Sequence, residues 1–449
     1  MTLLVISPDY ASHLLPLATI AGAWAEAGER VVVATGPATD GIVRRFGFER
    51  AELSLGRGSN PGVIRAEDQP RGEDEALRGF FEATRLGPVP TLAFQAAARR
   101  DDLLWEPQRV AREVQYLVDR VGPDQVIVDH LAFTARIGLT AARTPYADVV
   151  LGHPSALTVA GEVYGYPPAW PQALRPDPAD LTALRQQCEV VRDAFTEQWN
   201  AALTDLDPGA GASQDAFAET GDVLLLNYPE QLHPPQRTAL LPRHAFLGSS
   251  VRVEEPDDEV EAWLARGDAP IVYVSLGSFL SVRSDVLSRI AEALRGVEVR
   301  VALAAGSTPP EQLGPIPSSW LVRRELPQVT ILEAAALAVS HGGNNSVTEA
   351  MTAGVPLLLL PLSTDQFAGA AAIETAGLGK VLDANAATPA ELRTAAEQLL
   401  TMPAEAADRL ARLSEDLTRT PGPQRARSAF WASRAGIRHS ATDRATRHT

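Results

Sequence analysis

The sequence predicts an α/β protein of two domains, and three observations carry that expectation. At 449 residues the chain is longer than one hydrophobic core grows, and an apolar fraction of 45% is enough to fill two. Near the start, apolar Leu3 to Ile6, a helical apolar face and Arg30 to Thr35 make a strand-helix-strand unit. Between Val339 and Gln366 a second such unit turns on the glycine pair Gly342-Gly343.

In the first unit, Leu14, Leu17, Ala18, Ala21 and Ala25 share one helical face. Proline is tolerated only in the first turn of a helix, so Pro16 predicts a start close to His13. The positive end of that helix disfavours imidazolium, which predicts a neutral His13 able to accept a proton; a simple helix cap is the alternative. Gly56 to Glu75, rich in Gly, Pro, Arg and acidic residues, reads as a mobile loop. Phe80, Phe81, Leu86, Leu92 and Phe94 supply apolar surface, for the most part core and otherwise the wall of a pocket.

Gln125 to Val128 is an apolar strand, and Asp129 stands at its C-terminal end. Open parallel sheets place ligands and catalytic groups at that edge, although an aspartate there also caps helices. His130 and His153 have no His or Cys partner at ligand spacing, and Asp101-Asp102 and Asp257-Asp258 are not Asp-x-Asp pairs, so no metal site is predicted. Tyr164, Tyr166, Trp170 and the prolines from Pro167 to Pro178 either line a pocket or pack as a rigid loop. Asp180 to Leu203 is helical, Asp205 to Asp215 is a Gly-Ala-Ser connection, and Val223 to Asn227 reads as the last strand of the first domain.

Pro229, Pro234, Pro235, Pro242 and the acidic run Glu254 to Glu261 then mark a connection with few core residues, residues 236–262. Ile271 to Leu276 opens a second sheet and runs into Gly277-Ser278, a small-residue turn able to approach a phosphate. Val299 to Ala304 is a further strand. Glu391 to Leu400 and Ala404 to Leu417 are amphipathic, Arg425 to Arg438 suggests one more helix, and the last ten residues read as frayed.

Composition removes several classes of function. A net charge of -16 argues against nucleic-acid and anionic-membrane surfaces, which demand a basic face. Cys188 stands alone, so no intrachain disulfide forms, and with no partner base nearby it reads as structural. Leu3 to Ile6 is too short and lacks the basic flank of a signal peptide, and no run of eighteen apolar residues follows. The expectation is a soluble cytoplasmic protein.

The chemistry concentrates in Val339 to Gln366. A strand, a glycine turn and a helix that Gly354 and Pro356 end would aim free helix amides beyond the strand ends, where a phosphate fits. His341, Asn345 and Ser346 add donors, Glu349 lies one turn along, and Asp365 and Gln366 follow the next strand at the same sheet edge.

That stretch resembles the signature box of the family 1 glycosyltransferases, the UDP-glycosyltransferase superfamily with its plant and bacterial natural-product enzymes. The resemblance implies the GT-B architecture, two facing doubly wound Rossmann-like domains. Residues 1–235 would bind the acceptor and 263–424 the nucleotide sugar, with 425–449 crossing back to the first domain before a frayed tail. It implies that His341, Gly343, Asn345 and Ser346 meet the diphosphate and Glu349 the ribose, while Asp365 and Gln366 meet the donor sugar. Gly277-Ser278 is similar to a Gly-Ser that opens this domain in relatives, and Leu326-Pro327-Gln328 to a Pro-Gln element at the nucleotide base.

In the first domain, Ser12-His13-Leu14-Leu15-Pro16 is similar to the family's Gly-His-x-x-Pro segment, whose histidine is the catalytic base, with Ser12 in place of the usual glycine. On the same resemblance Asp129 bonds the second nitrogen of that histidine. Two further departures stand out. Glu325 occupies the place of a base-stacking Trp, with Trp320 five residues earlier, and Asn344 stands where plant enzymes often carry Trp.

The function implied is inverting transfer, without metal or other cofactor, of a hexose from a UDP- or dTDP-sugar to a hydroxyl of a small-molecule acceptor. A bacterial secondary-metabolite aglycone, as in antibiotic biosynthesis, is the acceptor class. A retaining transferase on this fold would need glutamate at position 341, where the chain has histidine. A UDP-sugar 2-epimerase needs no acceptor-facing base, and a non-catalytic sugar-nucleotide binding protein needs neither His13 nor Asp129.

Overall fold

The computed structural model describes residues 1–60, 62, 73–102 and 104–430. Seven strands form the first sheet: β1 (Thr2–Ile6), β2 (Arg30–Thr35), β3 (Glu49–Glu52), β4 (Gln125–Asp129), β5 (Ala147–Val150), β6 (Val223–Leu226) and β7 (His244–Phe246). Their order is β3-β2-β1-β4-β5-β6-β7, and every neighbouring pair is parallel. Six strands form the second: β8 (Ile271–Ser275), β9 (Arg300–Ala304), β10 (Leu321–Arg323), β11 (Ala335–Ser340), β12 (Leu357–Leu359) and β13 (Gly379–Val381). These run β10-β9-β8-β11-β12-β13, again all parallel. Both sheets have the expected doubly wound form. Alternate residues of β1 enter different cores, Leu3 and Val5 on one face and Leu4 and Ile6 on the other, so the strand is apolar throughout.

Strand order reverses between β1 and β4 and again between β8 and β11. At such a point the connections leave in opposite directions and open a crevice beyond the C-terminal edge of the sheet. His13 follows β1 and Asp129 ends β4, while Gly277 follows β8 and His341 follows β11. Topology alone therefore delivers each pair to one crevice.

The helix after β1 runs Ala11–Glu26, so Pro16 lies in its second turn, deeper than the first-turn rule predicts. Pro16 has no amide to offer the carbonyl of Ser12, four residues back. Asn345 Nδ2, from the second domain, donates to that carbonyl at 3.2 Å.

The connection expected over 236–262 proves shorter. His244–Phe246 pairs with β6 and extends the first sheet, and helix Asp258–Leu264 buries Val260 and Trp263 in the second domain. The prolines bracket short elements there instead of filling a loose connection. Phe80, expected in a core, is buried in that of the other domain, where its ring lies 5.4 Å from Phe279. Leu86, from the same apolar set, is 75% exposed. Arg283, buried, donates to the Thr84 carbonyl and hydroxyl, each at 3.2 Å, and to Asn385 Oδ1 at 2.7 Å, pinning helix Glu73–Leu86 across the domains.

Tyr164 stacks on Phe217 at 4.0 Å inside the first domain, and Trp170 leans on Phe367 of the second at 5.1 Å, so both pack. Residues 422–430 are helical and return to the first domain, where Phe430 meets Trp24 edge-on at 6.4 Å and Arg427 bonds Glu29 at 2.7 Å. Most of Gly56 to Glu75, the side chains of Asp101-Asp102 and the chain beyond residue 430 lie outside the described residues. Among the described residues no helix is long and apolar enough to cross a membrane.

Asn344 also joins the domains, its Nδ2 donating to the carbonyls of Leu151 at 2.7 Å and Asn227 at 2.8 Å. Asn344→Ala leaves both carbonyls without that donor. Thermal denaturation should show a loss of about 1–3 kcal/mol; an unchanged transition would mean that water replaces the amide at no cost.

Candidate active site

His13 Nδ1 lies 2.7 Å from Asp129 Oδ2, with the histidine side chain 27% exposed and the aspartate 1% exposed. The other carboxylate oxygen, Oδ1, accepts from Leu131 N at 2.8 Å and fixes the aspartate. Behind it Arg136 donates to the His130 carbonyl at 2.9 Å, and His130 Nδ1 meets buried Asp148 at 3.0 Å, which gives His130 a structural place. Burial pulls the His13 imidazole down, but the charge and hydrogen bond of Asp129, joined by the charge of Asp365, raise it above its ordinary 6.5. The neutral form favoured by the helix end is thus opposed by a carboxylate in contact, which acts in the other direction. Asp365 belongs to the second domain, so its influence brings the two sides of the crevice within electrostatic reach.

Across the crevice, helix Asn344–Ala353 starts at Gly343 with no side chain capping it, which leaves its first amides to a ligand. Gly342 takes φ +85° in the turn. The His341 ring lies between two glycines: a Cβ at Gly277 would stand 2.8 Å from Cε1, and one at Gly343 2.6 Å from Nε2. Burial brings this imidazole down to about 4, against a weaker opposing backbone contact from Ser275. Ser278 follows Gly277 in the short helix Gly277–Leu280.

Glu349, 4% exposed, accepts from Arg252 Nη1 at 2.5 Å and from Gln328 Nε2. Gln328 Oε1 takes Tyr273 OH at 3.3 Å and Ser346 Oγ at 3.4 Å, so the expected base, ribose and phosphate residues form one polar layer. Trp320 is buried in the second core and Glu325 is exposed, so neither supplies an aromatic face for a base.

The Asp365-Gln366 pair divides. Asp365 Oδ2 accepts from the His153 amide at 2.5 Å across the domains, and Thr364 beside it holds φ +50°. Gln366 turns inward: its Oε1 caps the amides of Leu362 at 3.0 Å and Ser363 at 3.1 Å, and Nε2 bonds Ser363 Oγ at 3.1 Å. Gln366 thereby supports the loop after β12. Cys188 is buried, its thiol pushed up to about 11, which leaves it inert.

Arg252, Asn227 and Asn344 were not among the expected residues. Only the lone arginine ahead of an acidic run, Arg252 before Glu254, offers a sequence signal; the two asparagines act through backbone carbonyls that no motif encodes.

A family profile described as UDP-glucoronosyl and UDP-glucosyl transferase matches residues 184–448. The chain is 31% identical over 185 residues to the NDP-glycosyltransferase YjiC of Bacillus subtilis (strain 168), covering 41% of this chain and 46% of that protein. It is 30% identical over 209 residues to the oleandomycin glycosyltransferase of Streptomyces antibioticus, covering 43% and 48%. The chain thus spans about half the length of these curated relatives. Among solved structures, CalG4, the calicheamicin glycosyltransferase, superposes with a TM-score of 0.65 at 22% identity over 96% of this chain and 98% of that one. VinC in complex with dTDP gives 0.66 at 18% identity over 97% and 100%. The fold shared with them is GT-B.

Proposed function

This chain belongs to the UDP-glucoronosyl and UDP-glucosyl transferase family, and on that premise we propose that it is an inverting glycosyltransferase moving a hexose from a nucleotide sugar to a hydroxyl of a small molecule. One observation carries the reading. The His13–Asp129 pair at the first switch point meets the uncapped helix start at the second, Asn345 reaching the carbonyl next to His13.

With Nδ1–H given to Asp129, His13 keeps a lone pair on Nε2. The acceptor hydroxyl passes its proton to Nε2 while its oxygen bonds the anomeric carbon, and the bond from that carbon to the diphosphate breaks with its electron pair. A single displacement inverts the centre. Asp129 holds the imidazolium that forms, and the departing diphosphate is met by helix amides, His341, Asn345 and Ser346 in place of a metal ion. Gly277 and Gly343 give His341 room, Glu349 and Gln328 take the ribose and base, and Asp365 takes the sugar. The names of the relatives, oleandomycin and calicheamicin glycosyltransferases, support a secondary-metabolite aglycone as acceptor, and the dTDP complex of VinC supports dTDP beside UDP as carrier.

Thermal unfolding with UDP, dTDP, GDP and ADP, with and without magnesium, tests the donor half. A nucleotide at a hundred times its dissociation constant adds about 2.7 kcal/mol. UDP or dTDP should stabilise the protein independently of magnesium, and His341→Ala should abolish the shift. No response to any of the four would overturn the reading.

A further inference from the structure

Glu349 carries its carboxylate inside the second domain, and its counter-charge comes from outside that domain. Arg252 reaches it from the chain between β7 and helix Asp258–Leu264, Nη1 to Oε1 at 2.5 Å. Arg252 Nη2 is held by Glu254 Oε1 at 2.9 Å. The second oxygen of Glu254 takes the Thr330 amide at 3.0 Å and hydroxyl at 3.1 Å, in the first turn of helix Gln328–Leu332. Gln328 of that helix closes the circuit on Glu349 Oε2. The groups facing Glu349 are therefore Arg252 and Glu254 from the connection, Gln328 from this helix, and Tyr273 from β8 through Gln328.

A ribose is neutral. It can donate two hydroxyls to a carboxylate but cannot balance its charge, and a buried carboxylate left without a cation protonates. Burial already raises Glu349 above its ordinary value, with Arg252 foremost among the groups opposing that rise. A protonated Glu349 would turn one acceptor oxygen into a donor and lose the ribose. Arg252 therefore cannot be displaced by the donor without defeating the contact that the donor needs.

We propose that Arg252 is a positioning residue for the donor: it holds Glu349 as a carboxylate facing the ribose hydroxyls, and it completes the donor site from the interdomain connection. This rests on the assignment of Glu349 to the ribose made above.

The test is calorimetric titration of UDP and dTDP into full-length protein from pH 5.5 to 8.5, for wild type, R252Q, R252K, E349Q and R252Q/E349Q. Ratios of variant to wild-type Kd cancel the diphosphate's own titration. Without Arg252 the carboxyl protonates at higher pH, so affinity is lost as pH falls, from a higher pH than in wild type. R252Q should bind at least about tenfold more weakly at the acid end and approach wild type at the alkaline end. R252K, which keeps the charge, should restore the wild-type profile, and R252Q should add little once Glu349 is already glutamine. A constant R252Q ratio across pH, or an equal effect of R252Q in the E349Q background, overturns the proposal. If R252Q does not fold, folding of R252Q/E349Q supports the counter-charge and failure of both overturns it. Absence of nucleotide binding by wild type would instead remove the ribose assignment itself.

Discussion

His13→Ala is expected to lower turnover by about 10²–10⁴-fold while leaving the affinity for UDP or dTDP within experimental error. The alanine removes the proton acceptor but none of the groups around Gly343, Asn345 and Ser346. His13 bonds Asp129, and the interdomain bond to its neighbour runs through the Ser12 carbonyl, which alanine at position 13 retains. The wild-type rate should climb with pH through a value above 6.5, because Asp129 raises the imidazole and only its neutral form accepts a proton. Single-turnover rates beside nucleotide titrations separate the two quantities. Equal loss of both would make His13 a structural residue.

Asp129→Asn should lower the plateau rate by about 10²–10³-fold and move its acid limb to lower pH. The amide can still accept from Leu131 N, so the turn after β4 survives. It cannot stabilise imidazolium, and its NH2 favours the tautomer with the proton on Nε2, the wrong one for a base. With the largest raising influence gone, burial dominates and the imidazole falls. The deficit relative to wild type should therefore shrink as pH decreases, since the variant base stays neutral where the wild-type base is protonated. A pH–rate profile that keeps its midpoint would remove Asp129 from the mechanism.

What could be read from the sequence was whatever a short stretch encodes by itself. The glycine turn before Asn345, the strand ending in Asp129 and the helix start carrying His13 are local patterns, and doubly wound topology brings their ends together without further instruction. What escaped depends on partners far away in the chain. Phe80 looks like any core aromatic until Phe279 is set against it. β7 is too short for periodicity and becomes a strand only beside β6. Arg252 sits in an acidic, proline-flanked run, and its place is defined by Glu349, ninety-seven residues on. That Gln366 caps the loop amides of Leu362 and Ser363 depends on a backbone turn that no residue type announces.

Pro16 touches no ligand site, yet it leaves the Ser12 carbonyl open to the Asn345 amide of the opposite domain. The amide carries two N–H donors, so on the proposed reading a diphosphate can take the second while the bond to Ser12 stays in place. The Ser12 bond then orients the amide before the donor arrives, so less side-chain freedom is lost on binding. A proline in the acceptor half thereby becomes a thermodynamic term in the affinity of the donor half.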